Sequence, residues 1–390
     1  MLYVLLDLLR ERLDDWGIYW IFQLLDQIEF RALAAAAMSF LTVVLAGRPV
    51  IAWLRRMKIG DSGLTDAAGL RAAASSKANT PTMGGILIIG AIIGWTALLA
   101  NVREFYVVLG LVVLVWLAAL GGFDDWLKLT AKTRGGSRQG LRAWEKLVFQ
   151  FGIGALVGFF AYNHGDSGAP HDLAHVLTLP LQRTYDPGAG GAISQGLIYL
   201  PRLVFVIWAL LLITGMSNAA NITDGMDGLA AGVTVAVSMG LVILVYIAGS
   251  EGTAQRLLVP YITRSDELIV LAAAMTGACL GFLWWNCSPA QVFMGDTGSL
   301  ALGGTLAYIA LVVRQELLLL VMSGVFIVEI ASVTLQVGYF KYSGGKRIFK
   351  CAPFHHHLHM SGWTEQQVVA RFWIVSAILV VVAMALVKVR

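Results

Sequence analysis

Ten long apolar stretches, each bounded by charged residues, Gly or Pro, dominate this 390-residue chain. A helix needs about 20 mostly apolar residues to cross about 30 Å of hydrocarbon. The sequence therefore predicts an all-α, polytopic integral membrane protein with about ten transmembrane helices. The stretches lie near 32–54, 84–101, 106–123, 146–163, 201–217, 229–248, 268–284, 298–313, 316–340 and 369–388.

The composition excludes several other classes of protein. Hydrophobic residues make up 58% of the chain and charged residues 13%, about half the charged share of a soluble domain. The mean hydropathy of +0.74 leaves too little polar surface for soluble domains. The net charge of +4 and the three cysteines, which lack ligand spacing, argue against disorder, nucleic-acid binding and a secreted disulfide fold.

Two of the stretches contain features that disfavour a continuous helix. The stretch at 298–313 carries the adjacent glycines Gly303 and Gly304, which are poor helix formers. The stretch at 316–340 carries Glu329 and Gln336 inside an apolar run. We take these two polar residues as candidate markers of a break in the ninth helix.

The distribution of Lys and Arg predicts the orientation in the membrane. These residues concentrate after the first, third and ninth stretches, and cytoplasmic loops carry an excess of positive charge. We therefore expect both termini in the periplasm, a periplasmic loop at 164–200 and a histidine-containing cytoplasmic loop at 341–368. Residues 1–30 lack a cleavage site, so they predict an amphipathic segment at the membrane surface.

Four clusters of polar residues follow odd-numbered stretches, as the basic segments do. Because all four clusters follow odd-numbered stretches, on the same side of the membrane as the basic segments, we expect them to converge on the cytoplasmic face. Polar residues beside membrane spans are candidates for function because they are costly there. The clusters are Asp124 and Asp125; Asn218, Asn221, Asp224 and Asp227; Asn286 and Asp296; and His355, His356, His357 and His359.

The aspartates indicate a hard divalent cation, since magnesium takes one or two carboxylates together with substrate phosphates. The dipole of a preceding helix disfavours Asp124 and Asp125 at its C-terminal end unless a cation is present. Plainer interpretations are a solvated pair of carboxylates here and, for Asp224 or Asp227, a calcium turn or the N-cap of the sixth span.

The histidine run has three interpretations. It could be an incidental polar loop or a zinc site, although adjacent residues cannot readily all bind one metal and no second thiol is near Cys351. Phosphate recognition suits it better, because imidazoles donate hydrogen bonds to phosphoryl oxygens. With the aspartates and the basic loops, it predicts phosphoryl transfer at a membrane surface between a lipid and a soluble substrate.

Five motifs, in this order, resemble those of the phospho-N-acetylmuramoyl-pentapeptide transferases. They are PTMGG (81–85), FDDWLK (123–128), NAANITDGMDGL (218–229), PAQVFMGDTGSLALGG (289–304) and PFHHH (353–357). The resemblance covers about residue 30 to the C-terminus and implies ten transmembrane helices and a homodimer in the bacterial cytoplasmic membrane. We expect a single transferase domain over 1–390. The resemblance also implies Mg²⁺-dependent transfer of phospho-MurNAc-pentapeptide from UDP-MurNAc-pentapeptide to undecaprenyl phosphate, which yields lipid I and UMP.

The same resemblance assigns roles to individual residues. It implies a catalytic pair, Asp124 and Asp125, and Asp296 as a catalytic residue and the magnesium ligand. Phe293 would stack on uracil. The full set of implied substrate-binding residues is Lys77, Thr82, Asn218, Asn221, Asp224, Asp227, Asn286, Phe293, His355, His356 and His357. The stretch before Lys77 and the presence of His359 depart from the expected pattern.

Two rival functions remain open at this point. One is a related transferase that uses UDP-GlcNAc, against which the PFHHH segment argues. The other is a transporter or channel with an acidic ion site, which predicts carboxylates near the middle of the bilayer. The aspartates here lie at the ends of the apolar stretches, so we favour the transferase.

Overall fold

The structure, a computed structural model, describes residues 1–57, 80–130, 140–165, 172–188 and 191–389. Within these residues the chain is almost entirely helical. The helices are α1 (Leu2–Asp15), α2 (Tyr19–Phe22), α3 (Ile28–Arg56), α4 (Gly85–Leu99), α5 (Phe105–Thr130), α6 (Ala143–Gly165), α7 (Arg202–Thr223), α8 (Leu229–Gly249), α9 (Glu251–Leu257), α10 (Leu268–Asn286), α11 (Gly295–Val312), α12 (Glu316–Met322), α13 (Gly324–Tyr342), α14 (Phe354–His359) and α15 (Glu365–Lys388).

The predicted all-α, polytopic membrane class is confirmed. Eight of the described helices are long and apolar enough to cross a membrane, namely α3, α5, α6, α7, α8, α10, α13 and α15. The second predicted stretch forms α4, which has 15 residues, and the eighth forms α11. Whether all ten cross the bilayer, and in which orientation, stays a prediction.

The glycines of the eighth stretch do not interrupt a helix. Helix α11 is buried on all sides between α5 and α7. A β-carbon at Gly303 would collide with the carbonyl oxygen of Met216, and one at Gly304 with the side chain of Leu117. The two glycines therefore allow neighbouring helices to approach α11 closely, which offsets their low helix propensity.

The ninth stretch is broken, but not at the residues that the sequence indicated. The break falls at Ser323, between α12 and α13. Glu329 and Gln336 lie inside α13, where both side chains accept hydrogen bonds from backbone N–H groups, Glu329 from His355 and Gln336 from Ile348. A polar side chain with such partners does not need to interrupt the helix, which is why this prediction was wrong.

Two helices continue past the apolar stretches that predicted them. Helix α5 runs on to Thr130 and α7 to Thr223, so Asp124 and Asn221 lie within final helical turns rather than after the helices. The hydrocarbon thickness limits an apolar run, whereas a helix ends only where helix-breaking residues begin. For α7 those residues are in the glycine-containing turn at 224–228.

The two ends of the helix bundle differ in character. At one end, the segment between α6 and α7 contains a 3₁₀ turn, Leu173–His175, and an antiparallel pair of short strands, Val176–Leu177 with Ile198–Tyr199. A buried ion pair at the same end joins Arg31 of α3 to Glu267 before α10, with Nη2 and Oε1 2.7 Å apart. The polar clusters lie at the opposite end.

The N-terminal segment is helical, as its amphipathic pattern predicts. Helix α1 leaves Leu2, Leu5 and Leu8 exposed, and the Arg31 guanidinium lies 4.0 Å from the centre of the Tyr3 ring. An exposed apolar stripe on a helix with charged residues fits the membrane surface. Its placement there remains a prediction.

Candidate active site

Three aspartates from two helices form the centre of the site. Helix α5 supplies Asp124 and Asp125, and the first turn of α11 supplies Asp296. Each offers one carboxylate oxygen, and these three oxygens all lie within 4.8 Å of one another. Carboxylate oxygens are the ligands that hard divalent cations prefer. The cluster could therefore hold a metal ion.

Asp125 fixes the position of Asp296. Its Oδ1 accepts a hydrogen bond from the Asp296 N–H (3.2 Å), and its Oδ2 accepts from the N–H (3.0 Å) and hydroxyl (2.7 Å) of Thr297. The first N–H groups of a helix lack partners within it and carry partial positive charge, so a carboxylate stabilises them. Gly295, at φ +75°, admits this contact, because a β-carbon there would lie 2.7 Å from Asp125 Oδ2.

Two lysines lie against the cluster. The Lys128 Nζ is 2.7 Å from Asp124 Oδ2 and 3.1 Å from Asp296 Oδ2. The Lys146 Nζ is 2.8 Å and 2.6 Å from the same two atoms. The sequence predicted no role in the site for either lysine. The spacing of Lys128 four residues after Asp124 on one helix could have indicated this pair, whereas no local signal indicates Lys146.

Of the two predicted residues on α7, Asn221 contacts the aspartate cluster and Asn218 has other partners. Asn221 donates to Asp296 Oδ1 (2.8 Å) and to the Ser299 hydroxyl (2.9 Å). Asn218 instead donates to the side-chain oxygen of Gln150 on α6 (2.9 Å). Just past the helix, burial and the negative charge of Asp296 raise the pKa of Asp224 to about 7.

Asp227 and Asn286 hold the turn at 224–228 to the segment before α11. Asp227 Oδ2 accepts from the N–H of Ala290 (3.0 Å), and Asn286 Oδ1 accepts from the N–H of Gly228 (3.0 Å). The N-cap of α8 is Gly228, at φ +80° and without a side-chain cap. The N-cap interpretation of Asp224 or Asp227 was therefore wrong.

Two further motifs run side by side near the cluster. The N–H of Phe293 donates to the carbonyl of Pro81, and the N–H of Gly84 donates to the carbonyl of Phe293, each at 2.8 Å. The Phe293 side chain is half-buried. Thr82 reaches the same region, since a β-carbon on Gly295 would lie 3.0 Å from its hydroxyl. Lys77 lies outside the described residues.

The histidine run lies on the short helix α14. His355 is buried, with Nδ1 3.0 Å from Glu329 Oε2 and Nε2 directed at Gly225 in the turn at 224–228. The ring of His356 lies edge-on to it, with centroids 4.2 Å apart. Nδ1 of His357 accepts from the N–H of Lys350 (3.1 Å).

The histidines do not form a metal site within the described part of the chain. His355 and His357 have separate partners, and Nδ1 of His359 lies 2.9 Å from the carbonyl oxygen of Trp363. In those same residues, the aspartate cluster is the one group with metal-binding spacing. The zinc interpretation therefore has no support.

An apolar groove of about 630 Å³ leads toward the cluster along α5. It is lined by α5 side chains from Val108 to Phe123 and by Phe149 of α6. Leu120 in its wall is followed four residues later by Asp124, and four-residue spacing keeps side chains on one helix face. The groove therefore extends along α5 toward the end of the bundle that holds Asp124.

The fold and the site define a polytopic, all-helical membrane protein with a carboxylate cluster able to hold a metal ion at one end of its bundle. Residues 106–314 match the family model described as Glycosyl transferase family 4. Residues 77–89 match signature 1 of the phospho-N-acetylmuramoyl-pentapeptide-transferases.

Relatives match over the whole length of the chain. Phospho-N-acetylmuramoyl-pentapeptide-transferase from Desulfotalea psychrophila is 41% identical, over 95% of this chain and 96% of its own. The proteins of the same name from Salinibacter ruber and Chlorobaculum parvum are 41% and 38% identical, each over 100% of both chains. The chain belongs to the phospho-N-acetylmuramoyl-pentapeptide-transferase family, as the five motifs predicted.

Proposed function

We propose that the chain transfers phospho-MurNAc-pentapeptide from UDP-MurNAc-pentapeptide to undecaprenyl phosphate. In net terms, an oxygen of the lipid phosphate becomes bonded to the phosphorus next to the sugar, the bond from that phosphorus to UMP breaks, and lipid I and UMP result. The observation that carries the proposal is the cluster of three aspartates and two lysines in a chain of this family. Such a site suits phosphoryl transfer, which depends on positioning and charge neutralisation.

We further propose that the cluster holds Mg²⁺. Three carboxylates against two ammonium groups leave a net negative charge, which favours a divalent cation. Asp296 is the proposed ligand, with Asp124 beside it, while Asp125 keeps one lone pair free, on Oδ1, after its three hydrogen bonds. When bound, the cation would neutralise charge on the diphosphate.

The remaining residues are proposed to bind the two substrates. Lys128 and Lys146 are placed to meet anionic phosphate, and Asp124, by family match, is the proposed reacting group. We also propose a homodimer in the bacterial cytoplasmic membrane, with the site facing the cytoplasm. The proposed residues of the UDP-sugar site are Lys77, Thr82, Asn218, Asn221, Asp224, Asp227, Asn286, Phe293, His355, His356 and His357.

The decisive experiment is UMP release from UDP-MurNAc-pentapeptide by the purified protein, with and without undecaprenyl phosphate. We expect lipid I and sustained UMP release only when the lipid phosphate is present. Equal or faster use of UDP-GlcNAc would favour the related transferase. No UMP release with either donor would contradict the proposal.

We expect Phe293→Ala to raise the KM for UDP-MurNAc-pentapeptide much more than it lowers kcat. Stacking on uracil contributes ground-state binding far from the reacting phosphorus. A base-stacking face contributes about 1–3 kcal/mol, hence roughly a 5- to 150-fold effect. Steady-state kinetics with each substrate varied in turn would measure it. An unchanged KM would remove Phe293 from the nucleotide site.

We expect Ala119→Trp to raise the KM for undecaprenyl phosphate by roughly tenfold, about 1.4 kcal/mol of binding. Ala119 is exposed in the wall of the apolar groove, which runs along α5 in the direction of Lys128, so we propose that the prenyl chain lies there with its phosphate at the lysines. The indole would occupy that space. The KM for the UDP-sugar should not change.

The matched control is Ala377→Trp, which adds the same side chain at an exposed position on α15 outside the groove. It should leave both KM values at the unmodified level. Equal KM values for the lipid in the two variants would place the prenyl chain elsewhere.

A further inference from the structure

Glu329 is a buried carboxylate inside an apolar helix. It lies in α13, with no exposed surface. A buried charge is costly unless it is paired and hydrogen-bonded. The partner of Glu329 is therefore informative about why a carboxylate is placed there.

That partner is His355. Glu329 Oε1 accepts from the His355 backbone N–H (3.1 Å), and Oε2 lies 3.0 Å from Nδ1 of its ring. A carboxylate has no proton to donate, so Nδ1 carries the hydrogen. Both side chains are fully buried, so no solvent compensates the charge of the carboxylate and the imidazole is its nearest partner.

The other ring nitrogen is directed toward the proposed UDP-sugar site. His355 Nε2 is buried and has no hydrogen-bond partner among the residues that the structure describes. It lies against Gly225, where a β-carbon would be 2.5 Å from it. Gly225 belongs to the turn that carries Asp224 and Asp227, two residues of that site. A buried polar nitrogen without a partner is costly in the protein alone.

We propose that Glu329 is a positioning residue that holds His355 as an imidazolium, with its Nε2–H aimed past Gly225 at a phosphoryl oxygen of the UDP-sugar. This inference rests on the proposed function, because it names a contact to that substrate. A charge-assisted hydrogen bond to phosphate is stronger than a neutral one. Glu329 touches no substrate and acts through His355.

The substitution Glu329→Gln tests this with little change in shape. The glutamine oxygen can still accept from the His355 backbone N–H, but its NH₂ then faces Nδ1. Nδ1 must become an acceptor, so the ring is neutral. We expect the KM for UDP-MurNAc-pentapeptide to rise roughly 10- to 100-fold, with the KM for undecaprenyl phosphate unchanged. A general folding defect would instead lower the apparent kcat and leave both KM values unchanged.

A double-mutant cycle separates positioning from a merely structural role. In a His355→Asn background, Glu329→Gln should add less than about a twofold effect, since coupled residues are non-additive. Thr334→Val, an exposed position on α13 whose hydroxyl donates to Ile330, is the control and should match the unmodified protein.

The outcomes distinguish the two proposals. If the unmodified protein releases no UMP, the proposed function fails. If it turns over normally and Glu329→Gln has an unchanged KM for the UDP-sugar, the inference about Glu329 fails while the function stands. Additive effects of Glu329→Gln and His355→Asn would also overturn it.

Discussion

Asp296→Asn should abolish turnover at low magnesium, by roughly 10³-fold, and recover part of it at high magnesium. The amide keeps the size of the side chain but loses the charge that holds a hard cation. A 10³-fold loss is about 4 kcal/mol of transition-state stabilisation. Asp296 accepts from Asn221 and meets Lys146 in the structure, and an amide satisfies these partners less well. UMP release measured across a magnesium titration would show the effect.

The matched control for this experiment is Asp186→Asn. Asp186 is exposed in the segment between α6 and α7, at the opposite end of the bundle. The substitution removes one carboxylate outside the aspartate cluster and should leave the magnesium dependence of turnover unchanged. An Asp296→Asn protein with the unmodified rate at low magnesium would exclude Asp296 as the ligand.

Asp124→Asn and Asp125→Asn should each cost roughly 10³-fold in turnover, but through different routes. Asp124 Oδ2 meets both lysines and Oδ1 accepts from the N–H of Leu141 (2.6 Å). An asparagine oxygen can keep the Leu141 contact, so this substitution should lower kcat with a smaller loss of stability than Asp125→Asn. Asp125 accepts from two N–H groups and a hydroxyl at the start of α11. An amide NH₂ facing those donors should also destabilise the fold by about 1–3 kcal/mol. Thermal unfolding measured beside kcat separates the two variants.

The chemical role of Asp124 needs a separate measurement. If its carboxylate attacks phosphorus, a phosphosugar-enzyme adduct should form and UMP should be released when lipid is absent. If it only accepts the proton of the lipid phosphate, no adduct should form and the rate should follow deprotonation of that phosphate. Mass spectrometry of the unmodified protein after incubation with the UDP-sugar would detect the adduct. Near-normal turnover in both variants would exclude the pair as catalytic.

The class of protein and the composition of the site could be predicted from the sequence because their signals are local. An apolar run of bilayer length indicates a membrane span, regardless of which helices pack against it. The parity of the polar clusters then predicted that Asp124, Asp224, Asp296 and His355 share one end of the bundle, and the structure places them there. The ends of α5 and α7 and the break at Ser323 were missed, because the helical hydrogen bonding that sets them is independent of apolarity.

What each side chain does at that end was decided by tertiary structure alone. Lys146 and Asp296 are 150 residues apart in sequence and in contact in the fold, and no periodicity relates them. The sequence could not separate Asp125, which caps α11, from Asp124, which meets the lysines, because the two are neighbours in one motif. In the sequence, Glu329 is only a polar residue in an apolar run. Its contact with His355 depends on how α13 and α14 pack. Hydrogen bonds and ion pairs act over about 3 Å, so only the packing of distant helices determines which groups they join.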